Sequence, residues 1–238
     1  PQGVATIENI LEDIAAKLRL DAYEVRRRNL YQGETGITHY GQPVKNNVLP
    51  ELFGQLHDTS EYVARREKIA QHNAGVLKGA AGPLRGLAIT GVKFGISFTT
   101  KFLNQGNALV NVYTDGTVQV STGGTEMGQG LYTKIQQIVA DELGVRFEDV
   151  RVMATSSEKS NNTAPTAASA GTDLNGNAAA VACRKIRERL AEFAAKLLDC
   201  SKTDIEIKNG EVFSFAPQRP DGPRMTFAEL TQKAWRER

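Results

Sequence analysis

Cysteine and histidine are scarce in this 238-residue chain: there are two cysteines, Cys183 and Cys200, and three histidines. Neither thiol belongs to a CxxC pair, and no histidine lies at a ligand-like spacing from either. A zinc motif is thereby excluded, as is an iron–sulfur cluster held by the chain itself. The expectation is two free thiols in a reducing compartment, and hence a cytoplasmic location. Long apolar runs are also missing, since no stretch approaches the ~18 residues of a membrane span. The opening "PQGVATIENI" lacks the charged start and apolar block of a signal peptide. Charge of one sign is absent as well: 29 lysines and arginines stand against 27 aspartates and glutamates. That balance argues against nucleic acid as the main partner. The one tight basic run, "VRRRNL" at Val25–Leu30, reads as a solvated helix face. The sequence opens on Pro1 and closes in mid-helix, so it reads as an excerpt of something longer.

What is present is enough apolar sequence, 40% of residues, for one large or two small domains with a real core. The first part is helical. "TIENILEDIAAKL" puts Ile7, Ile10, Leu11, Ile14 and Leu18 on one face, expected to point inward. Asp21 is the candidate N-cap of a short second helix. Pro50 suits the first turn of a long helix running to about Gln71. After about residue 80 the period changes. "GLAITGVKFGISFT", "ALVNVYT" and "TVQVS" read as strands, the last two joined by the hairpin signal Asp115–Gly116. A helix from about Gln129 to Leu143 follows, then a strand near "DVRVMA". Next comes a helix with Val181, Ile186, Leu190, Phe193 and Leu197 expected inward, then a hairpin at Asn209–Gly210. "TFAE" at Thr226–Glu229 is a capping box for the last helix. The expected fold class is α+β with mixed helices and sheet, divided into a mainly helical segment 1–80 and an α+β region 81–238.

Two stretches carry chemistry. "GGTEMGQG", Gly123–Gly130, lies between a strand and a helix, where anions are commonly held. It has the GxxxxG spacing of a P-loop, but Gln129 and Gly130 stand where the lysine and the Ser or Thr belong. The order GxxxGxG is not the dinucleotide fingerprint either. What remains is a bare-backbone turn with one amide, Gln129, able to donate and accept. The glycines are open to two explanations, a ligand cradle or a tight left-handed turn. Glu126 in the same turn reads as a capping or solvent group rather than a base. The second stretch is "TAPTAASAGTDLNGNAAA", Thr163–Ala180, whose small residues permit either close backbone approach to a bulky ligand or a close helix crossing. Two such cradles feeding helix N-termini favour a large, polar, multi-anionic cofactor.

With "KFGISFTTKFLNQ", these motifs resemble the molybdopterin-binding domain of the xanthine oxidase/aldehyde oxidase family, and within it the xanthine dehydrogenases. The resemblance runs nearly end to end and takes in "VRRRNLY" and "YVARR". It implies a molybdenum–molybdopterin cofactor held by Gly128, Gln129, Thr166, Ala167, Ala168, Ser169 and Thr172, with Ala168 nearest the metal. Phe98 and Thr99 match the positions that contact the purine, which tilts the expected substrates toward hypoxanthine and xanthine. The implied reaction is hydroxylation of a purine carbon to give urate. Electrons leave through 2Fe–2S clusters and FAD to NAD, on other domains or subunits. The implied partners are therefore the purine, the Fe–S/FAD part and the rest of the molybdenum domain, in an oligomer without nucleic acid or membrane. Family members also carry "RGFGG" before "PQG" and a glutamate base near the C-terminus. Neither falls within these 238 residues, so no catalytic residue is assigned here, and the expectation is an incomplete fragment, inactive alone. The alternatives are an aldehyde or other N-heterocycle hydroxylase, or a non-catalytic scaffold.

Overall fold

A computed structural model describes residues 2–32, 36–160, 162–216 and 222–237. The chain divides into two compact units, one up to Phe94 and one from Gly95 onward.

The first unit holds four helices: α1 (Gln2–Leu18), α2 (Ala22–Arg28), α3 (Leu49–Thr59) and α4 (Tyr62–Leu77). Asp21 caps α2 as expected, its side chain accepting from the Tyr23 amide, and Pro50 stands in the first turn of α3. The long helix expected from Pro50 to Gln71 is broken. Glu61 adopts a left-handed conformation (φ 51°) after Ser60 ends α3. Short polar side chains in "HDTS" compete for backbone hydrogen bonds and favour such a break. The apolar face of α1 is a second correction. Ile7, Ile10, Ile14 and Leu18 are 38–60% exposed, and Ala15 is the buried residue of that helix. The buried clusters of this unit are small: Ala15, Ala22 and Val25, and separately Phe53, Tyr62 and Ile89.

The segment "GLAITGVKFGISFT" is not a strand. Its alternation is real, yet only Ile89 is buried, and no ladder partner lies beside it among the described residues. A strand exists by virtue of its neighbour's hydrogen bonds, so alternation without a partner leaves an irregular extended run.

The second unit is α+β. Strands β1 (Ala108–Val112) and β2 (Val118–Thr122) form the expected antiparallel hairpin. From β2 the chain passes through α5 (Leu131–Leu143) into β3 (Val150–Val152), which pairs with β2 in parallel. A turn of π-helix, Thr172–Gly176, leads into α6 (Asn177–Leu197). A second sheet holds β4 (Ile205–Lys208), β5 (Glu211–Ser214) and β6 (Pro223–Thr226). Only the last of these was unmarked in the sequence, because a proline heads it; an edge position tolerates that residue. The Thr226–Glu229 capping box opens α7 (Phe227–Arg236) as read.

One core joins the two sheets and helices. Val118 and Val120 from β2, Leu131, Ile135, Val139 and Leu143 from α5, and Ile207 and Val212 from the second hairpin are essentially fully buried. On α6 the deepest residues are Ala179, Cys183 and Ala194, while Ile186, Leu190, Phe193 and Leu197 are partly buried and Val181 is 47% exposed. Four of the five residues expected inward thus pack against this core, Val181 is the exception, and the small side chains of Ala179, Cys183 and Ala194 bring α6 close to α5.

Burial also separates the two thiols. Cys183 is sealed in the core, and desolvation pushes its thiol up to about 12, whereas Cys200 is half-buried. Ellman's reagent on the native chain is expected to titrate Cys200 readily and Cys183 only at the rate of unfolding, because the thiolate is the reactive form. Equal reactivity of both thiols in the native chain would contradict this packing.

Candidate functional site

The glycine-rich turn and the small-residue stretch lie side by side. The Thr125 amide donates to Thr166 Oγ1 at 2.8 Å, joining positions 41 residues apart. Ser160 donates to the Thr122 carbonyl at 3.0 Å, and the Thr155 hydroxyl donates to the Gly124 carbonyl. Close approach makes this possible. At Gly123 an added Cβ would sit 2.2 Å from Thr163 Cγ2 and 2.8 Å from its Cβ. Thr163 itself is pinned, donating its hydroxyl to the Gln105 carbonyl at 3.0 Å. The bare backbone at 123 therefore seats one loop on the other.

The helix N-terminus after this turn is already filled. Glu126 Oε1 accepts from the Gly128 and Gly130 amides at 2.8 and 3.0 Å, and Oε2 accepts from the Tyr132 amide at 3.0 Å. Those bonds, the one from Tyr132 foremost, hold the carboxyl below the usual glutamate range. The sequence reading of Glu126 as a cap agrees with this geometry. A depressed folded-state value means that the contribution is complete above the ordinary glutamate value of ~4.3 and is lost as pH falls through the lower one. The amide resonances of Gly128, Gly130 and Tyr132 are accordingly expected to move together only at pH below ~4.3. Glu126→Gln is expected to flatten that titration. Movement at or above the ordinary value would mean that the cap is not formed.

Gln129 serves its own turn with both ends of its amide. Its Oε1 accepts from the Met127 amide at 2.6 Å, and its Nε2 donates to the Thr125 carbonyl at 2.9 Å. Gly128 stands beside it in left-handed backbone, φ 96°.

Between the two loops is a cavity of about 300 Å³. Met127, Gln129, Leu131 and Lys134 line one side, and Thr166, Ala167, Ser169, Gly171 and Thr172 the other. Five sequence-predicted residues, Gln129, Thr166, Ala167, Ser169 and Thr172, thus share one cavity. Gly128, Ala168, Phe98 and Thr99 are not in its lining. The Ala168 carbonyl instead accepts from the Ser97 amide at 2.8 Å, which brings the 97–99 segment against the second loop. The half-buried Phe98 is held at its backbone by Asn104, whose Oδ1 accepts from the Phe98 amide and whose Nδ2 donates to its carbonyl. No hydrogen bond involves the exposed Thr99 among the described residues.

Backbone strain gathers here. Ser97, Ala168 and Ser169 all have positive φ, at 69°, 51° and 55°. Left-handed backbone costs non-glycine residues ~1–2 kcal/mol each and persists where surrounding contacts enforce it, often at functional sites. The π-turn at Thr172–Gly176 is a further irregularity of this kind. Its Asn175, 4% exposed, donates to the Gly171 carbonyl at 3.3 Å and so braces the loop from beneath.

Lys134 was not foreseen. A P-loop would carry its lysine directly after Gly128, whereas Lys134 reaches the cavity from the first turn of α5. Helical side chains lean toward the N-terminus, and that rule was the available signal.

A strand–turn–helix with its terminus self-capped, facing a strained loop of hydroxyls and small residues, defines a cofactor-holding module rather than a nucleotide-triphosphate site. The chain belongs to the molybdopterin cofactor-binding domain family, whose pattern matches residues 55–238. A xanthine dehydrogenase/oxidase of Rattus norvegicus is 42% identical over 196 residues, covering 82% of this chain and 14% of that protein. A nicotinate hydroxylase of Emericella nidulans is 44% identical over 199 residues, covering 82% of this chain and 14% of that protein. Among solved structures, quinoline 2-oxidoreductase of Pseudomonas putida 86 superposes with a TM-score of 0.72 at 25% identity, covering 98% of this chain and 30% of that one. The chain therefore spans about one seventh of the length of these curated relatives.

The residues present fit a pterin cofactor. The cavity lining offers three hydroxyls, an amide and an ammonium, together with the apolar sides of Met127, Leu131 and Ala167. Such a mixture suits a flat, polar, anionic heterocycle. Among the described residues no three His, Cys, Asp or Glu side chains gather as metal ligands.

Proposed function

We propose that this chain is the cofactor-holding part of a molybdenum hydroxylase of the xanthine dehydrogenase type, acting on hypoxanthine and xanthine in purine breakdown. When bound, the molybdenum–pterin group supplies the oxygen-transfer and electron-accepting chemistry. The chain's own residues bind and orient it. Thr166, Ser169 and Thr172 offer hydroxyls, Gly128 and Ala167 offer unhindered backbone, and Ala168 packs nearest the metal. Gln129 keeps the turn in shape through its own amide bonds. Phe98 packs against the flat substrate, with Thr99 as its polar neighbour. No catalytic residue is assigned to these 238 residues. In this reading the helical first 80 residues and the α+β remainder form one family domain. In a cytoplasmic, oligomeric enzyme, 2Fe–2S clusters, FAD and NAD held elsewhere would carry the electrons away. The observation that carries the reading is the cavity shared by the turn 123–130 and the loop 166–172.

The test uses the full-length enzyme. Molybdenum and pterin are expected near one per chain, and urate forms from xanthine. Gln129→Ala is expected to lower cofactor content or turnover by about thirtyfold, because it removes two hydrogen bonds that shape the turn, worth ~1 kcal/mol each. Unchanged metal content together with an unchanged rate would remove Gln129 from the site. A second reading, hydroxylation of another N-heterocycle, is favoured by one observation: the nicotinate hydroxylase is as similar as the xanthine dehydrogenase. Rates with xanthine, nicotinate and a small aldehyde on the same preparation separate the readings.

A further inference from the structure

We propose that Lys134 is the counter-charge for a phosphate monoester in the cavity, and that the phosphate is the one carried by the pterin cofactor; this rests on the cofactor reading above. Three observations converge on it. First, the groups facing the cavity from both loops are hydrogen-bond donors without a competing anion. No carboxylate lines it, because Glu126 is turned onto the amides of Gly128, Gly130 and Tyr132. Second, these donors are available. The hydroxyls of Ser169 and Thr172 make no hydrogen bond among the described residues, and Thr166 Oγ1 only accepts from Thr125, which leaves its own proton to give. Third, Lys134 is the cation in the lining of this cavity, and it forms no ion pair with any acidic side chain among the described residues.

An ammonium with hydroxyls opposite it is a donor set for a doubly charged, tetrahedral oxyanion, which a planar carboxylate would use only in part. The arrangement also explains how this turn departs from a P-loop. There the phosphate sits on bare amides with a lysine directly after the second glycine. Here the amides are taken by Glu126, and the positive charge comes from the fourth residue of α5, whose side chain leans back toward the turn. Phosphate recognition has moved from the backbone to side chains.

The test has two arms. In the full-length enzyme carrying Lys134→Gln or Lys134→Arg, phosphate-bearing pterin is released by denaturation and quantified per chain by fluorescence after oxidation. Lys134→Gln is expected to retain about tenfold less pterin through a high-salt wash, and Lys134→Arg to retain most of it. In the other arm, inorganic pyrophosphate is titrated into pterin-free protein. Its affinity is expected to fall about ten- to a hundredfold in Lys134→Gln, with a weaker salt dependence than in the wild type. Thermal unfolding separates the role from a structural one, since an exposed lysine without a partner should leave the midpoint unchanged. Full pterin retention in Lys134→Gln with unchanged pyrophosphate affinity overturns the proposal. Lys134-dependent pyrophosphate binding in an enzyme that never contains pterin would instead sink the cofactor reading and the phosphate's assigned source, while the anion site stands. Weakened binding of an anionic substrate with full pterin retention would overturn the assignment to the cofactor.

Discussion

Gly123→Ala is expected to separate the two loops of the site and cost the second unit about 1–3 kcal/mol, the usual range for overpacking a buried position. The added methyl would meet the β-branched Thr163 at 2.2–2.9 Å from three of its atoms, and Thr163 cannot swing away without leaving the Gln105 carbonyl. The displaced loop carries Thr166, Ser169 and Thr172, so cofactor retention should fall with stability. The double variant Gly123→Ala/Thr163→Gly removes the obstructing side chain and should recover most of the loss. A coupling energy of ~1–3 kcal/mol in the corresponding double-mutant cycle would identify the contact. Simple additivity of the two substitutions would show that Gly123 is not seated on Thr163.

A larger loss, and one that no partner change should rescue, is expected for Gly144→Ala. Gly144 ends α5 in left-handed backbone, φ 73°, and an added Cβ would lie 2.0 Å from the carbonyl oxygen of Ile207 and 2.6 Å from its carbon. The obstacle is main chain of β4, fixed by its ladder with β5. Adding the left-handed penalty to the overlap gives about 3–5 kcal/mol. For a chain of this size that lowers the melting temperature by roughly 10 °C. Calorimetry of the variant measures it, and a shift of 1–2 °C would mean that the α5–β4 contact is looser than described.

Much of the α+β unit was legible because its signals are local. The Asp115–Gly116 and Asn209–Gly210 turns, the Thr226–Glu229 box and the Asp21 cap each need only a few neighbouring residues, and each stands where it was read. Non-local features were not legible. The alternation in "GLAITGVKFGISFT" carries no information on whether a partner strand exists. The apolar stripe of α1 says that a face can be covered, not that it is. The site divides in the same way. Motifs placed Gln129, Thr166, Ala167, Ser169 and Thr172 on loops that share a cavity, but the inward use of the Gln129 amide and the reach of Lys134 depend on rotamers and helix direction.

The left-handed trio at Ser97, Ala168 and Ser169 has a consequence for which substitutions the chain can accept. At most positions glycine and asparagine are among the poorer replacements, and β-branched residues are often harmless. Here the order should invert. Glycine relieves the strain outright, and asparagine enters this region more easily than other residues with a side chain, whereas valine, isoleucine and threonine are the least able to follow. A saturation library at these three codons, sorted for soluble folded protein, should therefore fill with the substitutions that a helix or strand would reject. Where glycine folds well but holds the cofactor poorly, the strain belongs to binding rather than to the fold.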